Sequence, residues 1–106
     1  MPKYLMEVNY VGDGLKGLIK EGGTRRQSAA DKAIRSVGGK IESFYYAFGA
    51  ADVYLIVDVP DNINMAALAL TLNASGAVTS KTTVLLTVEE VDAAVKISPK
   101  YKPPGK

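Results

Sequence analysis

Asp52 and Tyr54 stand two residues apart in a stretch where apolar and polar residues alternate. In an extended strand that spacing points both side chains to one face. A carboxylate beside a phenol on a partly buried face is a proton-transfer pair: burial raises the carboxyl pKa, and the hydroxyl orients a bound group. The same two residues have a structural use as well. Asp52 can accept backbone amides of the 49–51 turn, and Tyr54 can pack with its hydroxyl satisfied. Glu7 and Asn9 repeat the two-residue spacing near the N-terminus, and Tyr45 and Tyr46 follow one another. Glu7, Asn9 and Tyr54 gathered on one sheet face would mix polar and apolar groups, the usual makeup of a ligand pocket. The face that Tyr45 and Tyr46 each take is left open, because both have apolar company. Arg25 and Arg26 begin a helical stretch, where cations oppose the helix dipole. They are candidates for an anion site, or plain surface residues.

The chemistry is bounded more firmly by what is missing. The chain has no histidine and no cysteine. Thiolate nucleophiles, Ser-His and Cys-His pairs, disulfides and His/Cys metal sites are excluded. No metal-ligand spacing occurs, and no cofactor is expected. Gly12-Asp13-Gly14 and Gly22-Gly23 match neither a P-loop nor a dinucleotide fingerprint and are read as turns. The absence of cysteine points to a reducing, cytoplasmic setting.

These residues need elements to hold them. Tyr4, Met6, Val8 and Tyr10 alternate with Leu5, Glu7 and Asn9, the period of a half-buried strand over residues 3–10. Asp13 is placed to cap a short helix weakened by Gly14 and Gly17. Thr24 with Gln27 matches a capping box, and Ala30, Ala33, Ile34 and Val37 form a stripe at helical spacing. Gly38-Gly39 closes that helix. A second strand covers 40–48 and a third 52–59, joined by so short a turn that they must be antiparallel. Asp61 caps a helix reaching about residue 74, apolar on two stripes: Ile63, Ala67, Leu70 and Ala74, and Met65, Leu68 and Leu72. Two apolar stripes predict burial on more than one side. A fourth strand runs from 78 to about 87. Thr87 with Glu90 is another capping box, for a short helix over 89–96.

The order strand, helix, strand, strand, helix, strand, with right-handed crossovers, gives an α+β ferredoxin-like βαββαβ domain. Its four-stranded antiparallel sheet carries the helices on one face. The other face carries Tyr and Ile and needs cover, which a second copy packed sheet to sheet would supply. The 106 residues form one domain over 1–96 and a Pro/Lys-rich tail over 97–106, expected to be extended and mobile. Hydrophobic residues make up 47% of the chain and charged ones 23%, a globular balance. The net charge of +2 is unevenly placed: the stretch from Lys96 to Lys106 carries four lysines and no acid. That tail is read as solvated rather than as a nucleic-acid contact. No apolar run approaches the ~20 residues of a membrane span.

The ordered set of motifs resembles the GYD domain family, placed in the dimeric α/β-barrel superfamily. The similar features are the strand ending at Tyr10, the Gly14-Leu15 turn, Arg25-Arg26 at a helix start and Gly38-Gly39. They continue through the Tyr-rich strand, Phe48-Gly49, Asp52 and the run to Pro60 before an Ala/Leu-rich helix. The family takes its name from Gly-Tyr-Asp; this chain reads Gly49-Ala50-Ala51-Asp52, so that ring is absent. The resemblance implies the fold and leaves the chemistry open, since the superfamily holds haem-degrading enzymes, monooxygenases, polyketide cyclases and ligand-binding regulators. The expected function is a homodimeric small-molecule-binding or structural domain. The alternative is a cofactor-free oxygenase, cyclase or isomerase on a polyketide-like or phenolic compound, with Asp52 as base and Tyr54 orienting.

Overall fold

Alternation sets the sheet. In the computed structural model, which describes residues 1–106, Lys3–Tyr10 forms β1 and Val53–Asp58 forms β3. They pair antiparallel with Met6 opposite Leu55 and Tyr4 opposite Val57, so the apolar sets of both strands share one face. Lys40–Tyr46 (β2) borders β3, and Val78–Leu85 (β4) borders β1. The order β2-β3-β1-β4, antiparallel throughout, is the ferredoxin-like arrangement expected from the sequence. Phe48 falls beyond β2 and is fully exposed, so that strand is shorter than its aromatic content predicts.

One residue sets the faces of β2. Ile41 pairs with Val57 and Ser43 with Ile56, leaving Glu42 as an extra residue. This bulge shifts the alternation by one step. Ile41, Phe44 and Tyr46 therefore face the helices, while Tyr45 faces outward opposite Tyr54.

Four helices follow from the caps and breakers: α1 Gly14–Glu21, α2 Gly23–Ser36, α3 Asn62–Ala74 and α4 Val88–Val95. Gly14 opens α1 against the Ala77 carbonyl, an approach that a Cβ would block. The Thr24 capping box is not made. Gly22, at φ 83°, ends α1 and lets α2 restart at once, so Thr24 already lies within the first turn of α2 and no side chain caps it. Asp13 likewise stands ahead of α1 without a side-chain cap bond. The other two caps form as expected: Asp61 accepts from the Asn64 amide at 2.8 Å, and Thr87 and Glu90 make the reciprocal capping box. Gly38, at φ 79°, takes the left-handed position that closes α2.

The core lies between the sheet and the two long helices. Tyr4, Met6, Leu55 and Val57 meet Ile34 from α2 and Met65 and Leu68 from α3. Only one apolar stripe of α3 is used, since Ile63 and Leu70 of the other stripe are exposed in the single chain. Asp58 faces outward yet is 6% exposed, covered by the Lys3 ammonium at 2.9 Å. Beyond β4 the chain leaves the body: every residue from 88 to 106 is exposed. This arm stretches the molecule to 58 × 32 × 22 Å. No helix is long and apolar enough to cross a membrane.

Candidate functional site

The sheet has two faces with different chemistry. On the outer face, strand register aligns Tyr45, Tyr54, Glu7 and Lys81 in one row across all four strands. The next row holds Ser43, Ile56, Leu5 and Thr83. Asn9 lies one step beyond Glu7 on the same side, its amide nitrogen 3.4 Å from the Ala50 carbonyl oxygen, a long hydrogen bond. The structure thus brings Glu7, Tyr45 and Tyr54 together, with Asn9 beside them, on an open surface rather than in an enclosed cavity.

Asp52 is tied down locally. Its carboxylate accepts a 2.9 Å hydrogen bond from the Tyr10 amide. Its own amide donates to Val8 and its carbonyl accepts from Ala47. The carboxylate therefore engages the end of β1, not the amides of the 49–51 turn. Two of these bonds staple Asp52 to β1 and the third closes the 47–52 connection, a use of the carboxylate that leaves one oxygen free of protein donors.

The concave site is on the opposite side. A cavity of about 300 Å3 lies between α2, α3 and the inner sheet face. Met6, Val8 and Phe44 form its floor, Ala30 and Ala33 one wall, and Leu72 the other. It exists because α2 presents small residues here, and alanines at this spacing leave room that leucines would fill. Arg26 is the one charged side chain lining it. Arg26, Ala29, Ala30 and Ala33 sit at i, i+3, i+4 and i+7, so the arginine shares the stripe that faces the sheet. Arg25, one residue earlier, is exposed and lies off the cavity.

At its polar end the cavity runs into a second, more open one of about 560 Å3 that shares Tyr10, Arg26 and Ser75 and reaches Asp13 and Glu21. A small polar cluster marks the junction. Arg26 donates to Glu21 at 3.1 Å. Burial works against the Arg26 charge, but the Glu21 carboxylate and the Tyr10 hydroxyl outweigh it and hold the guanidinium above its ordinary value. The Tyr46 hydroxyl donates to the Gly23 carbonyl at 2.7 Å. Burial pushes that phenol up, with Tyr10 adding to the effect and Arg26 opposing it. Tyr10, Tyr46 and Arg26 therefore stand together at the mouth of the cavity. No group of three carboxylates that could hold a metal ion occurs.

Of the eight residues singled out from the sequence, Arg26 alone lines the helix-side cavity; Tyr46 stands beside its mouth. Tyr10 went unremarked as a site residue, although it ends the helix-facing set of β1. The alanine stripe with an arginine in phase was the signal available in the sequence.

The sequence profile described as GYD domain matches residues 4–95. No curated protein and no solved structure matches the chain. With the profile covering most of its length, the chain belongs to the GYD domain family.

Proposed function

We propose that this GYD-domain chain is a small-molecule-binding protein that works as a homodimer. Its ligand sits in the helix-side cavity, and its outer sheet face packs against a second copy. The observation that carries the binding reading is the cavity itself: apolar walls, and convergent polar groups at one end only. A domain this small has little core to spare, and the half-buried Val8, Phe44 and Leu72 that face the cavity leave apolar surface that a bound ligand would cover. The dimer reading is supported by the outer face. Leu5, Ile56, Tyr54 and Tyr45 lie there partly or largely exposed, on strands of up to eight residues. At ~3.4 Å per residue and ~4.8 Å between strands, that face spans roughly 500 Å2 in projection. This is on the order of the ~800 Å2 of accessible surface per partner in a stable interface.

Native mass spectrometry of the full chain, with ligands kept bound, tests both halves. Wild type is compared with Ala30→Leu, which fills the cavity without touching the outer face. The expected result is a dimer that carries a small molecule in the wild type and persists without it in the variant. A monomer refutes the dimer. A ligand retained by Ala30→Leu refutes the cavity as its site. A ligand-free wild type whose cavity amides are unmoved in NMR by millimolar indole refutes binding.

A further inference from the structure

We infer that the ligand is a small monocarboxylic acid, its apolar body under α2 and α3 and its carboxylate against Arg26 and the Tyr10 hydroxyl. This rests on the cavity reading above and adds the chemical class. Size is the first constraint. At about 30 Å3 per water molecule, a volume of about 300 Å3 holds roughly ten non-hydrogen atoms. That is an eight-carbon chain or a single substituted ring with one head group.

Polarity is the second. Two of the polar side chains at the cavity wall are already committed to their own helix: the Thr71 hydroxyl donates to Ala67 and the Ser75 hydroxyl to Leu72. The groups left to meet a ligand are Tyr10 and Arg26, side by side at the junction with the open outer cavity. The body of the ligand must therefore be apolar and its head polar, in that order from the inside outward.

Charge is the third. No acid lines the apolar cavity, and its one formal charge is positive. Glu21 is bound through a single guanidinium nitrogen of Arg26 and lines only the outer cavity. The guanidinium fork has five N–H donors, so most remain for a second acceptor. A carboxylate suits that fork because its two oxygens take parallel N–H bonds. The position of Arg26 in the first turn of the 14-residue α2 adds the positive end of the helix dipole at the same point. A cationic head would meet Arg26 with like charge, and a neutral head would forgo a charge-assisted bond to the N–H donors that Glu21 leaves open.

The test compares two ligands of one shape, octanoate and octanamide, titrated into the full-length protein at neutral pH. Binding is followed by backbone amide NMR shifts. Octanoate is expected to bind about tenfold tighter than octanamide, the difference between a charge-assisted and a neutral hydrogen bond. The shifts should centre on Val8, Tyr10, Ala30 and Ala33. In Arg26→Gln the ratio should fall to about one, and in Arg26→Lys part of it should return. Equal binding by the two ligands in the wild type overturns the acid and leaves the cavity reading standing. A tenfold preference that survives Arg26→Gln overturns Arg26 as the recognising group. Failure of both ligands, and of cinnamate and cinnamamide, to shift any cavity amide at millimolar concentration overturns the acid and the cavity reading together. Arg26 is partly exposed and outside the core, so thermal melts of its variants should match wild type, separating lost recognition from lost fold.

Discussion

Removing the Asp52 carboxylate distinguishes a residue that holds the fold from one that performs chemistry. The carboxylate accepts from the Tyr10 amide at 2.9 Å, at the last residue of β1. An ionised acceptor on a backbone N–H contributes about 1.5–3 kcal/mol. Tyr10 is half-buried, so water recovers part of that in a truncated variant. The expected cost of Asp52→Ala is therefore about 1–2 kcal/mol. For a domain of this size, 1 kcal/mol moves Tm by roughly 4–8 °C, so the melt should fall by about 4–16 °C. Asp52→Asn keeps a carbonyl oxygen in place and loses only the charge, and should retain at least half of the lost stability. Differential scanning calorimetry and urea unfolding on the three proteins give the numbers. Loss of protection of the Tyr10 amide in hydrogen exchange would locate the damage. An Asp52→Ala melt within 1 °C of wild type, with Tyr10 still protected, would refute the staple and return Asp52 to the list of candidate bases. Octanoate binding should be unchanged in Asp52→Asn, since that carboxylate does not line the cavity.

Two further outcomes follow from the ion pairs and caps. Lys3→Met strips Asp58, which is 6% exposed, of its ammonium partner. It should lower the urea midpoint, and adding Asp58→Asn should recover part of the loss, because an amide is less costly to bury than an unpaired carboxylate. Stability should also decline at both ends of the pH range. The Asn64 amide holds the Asp61 carboxyl below its ordinary value of 3.8, so the unfolded chain takes the proton first and this stabilisation is lost as pH falls below 3.8. The Asp58 and Glu42 carboxylates hold the Lys3 ammonium above 10.5, so the unfolded chain loses its proton first and that stabilisation is lost as pH rises past 10.5. Urea midpoints measured from acid to alkaline pH check both limbs; Asp61→Asn should flatten the acid one.

Much of the sheet was legible because β1 and β3 alternate without interruption, and a strand half-buried on one side can only alternate. The caps at Asp61 and Thr87 were legible because the side chains that form them lie within three residues. β2 was not. The bulge at Glu42 changes which of Tyr45 and Tyr46 faces the helices, and nothing in a run of apolar and aromatic residues marks where the phase slips. The α2 start was misplaced for a related reason: a capping-box pattern at Thr24 is overruled by a left-handed Gly22 that brings the helix in two residues early. The sequence points to a pocket on the bare sheet face, where Glu7, Asn9 and Tyr54 gather. The helix-side cavity is a property of volume, and it arises where small side chains from one helix oppose larger ones from another. Alternation and helical stripes report which way a side chain points, not how much space it leaves.

A chain whose last nineteen residues are all exposed scatters and diffuses like a larger particle. A compact domain of 106 residues has a radius of gyration of about 13 Å, whereas this one has 16.9 Å. By the same scaling, a compact chain of that radius contains about 210 residues, close to two copies of this one. On a sizing column a single molecule would therefore elute near a compact protein of twice its mass, and only a mass measurement blind to shape gives the number of copies.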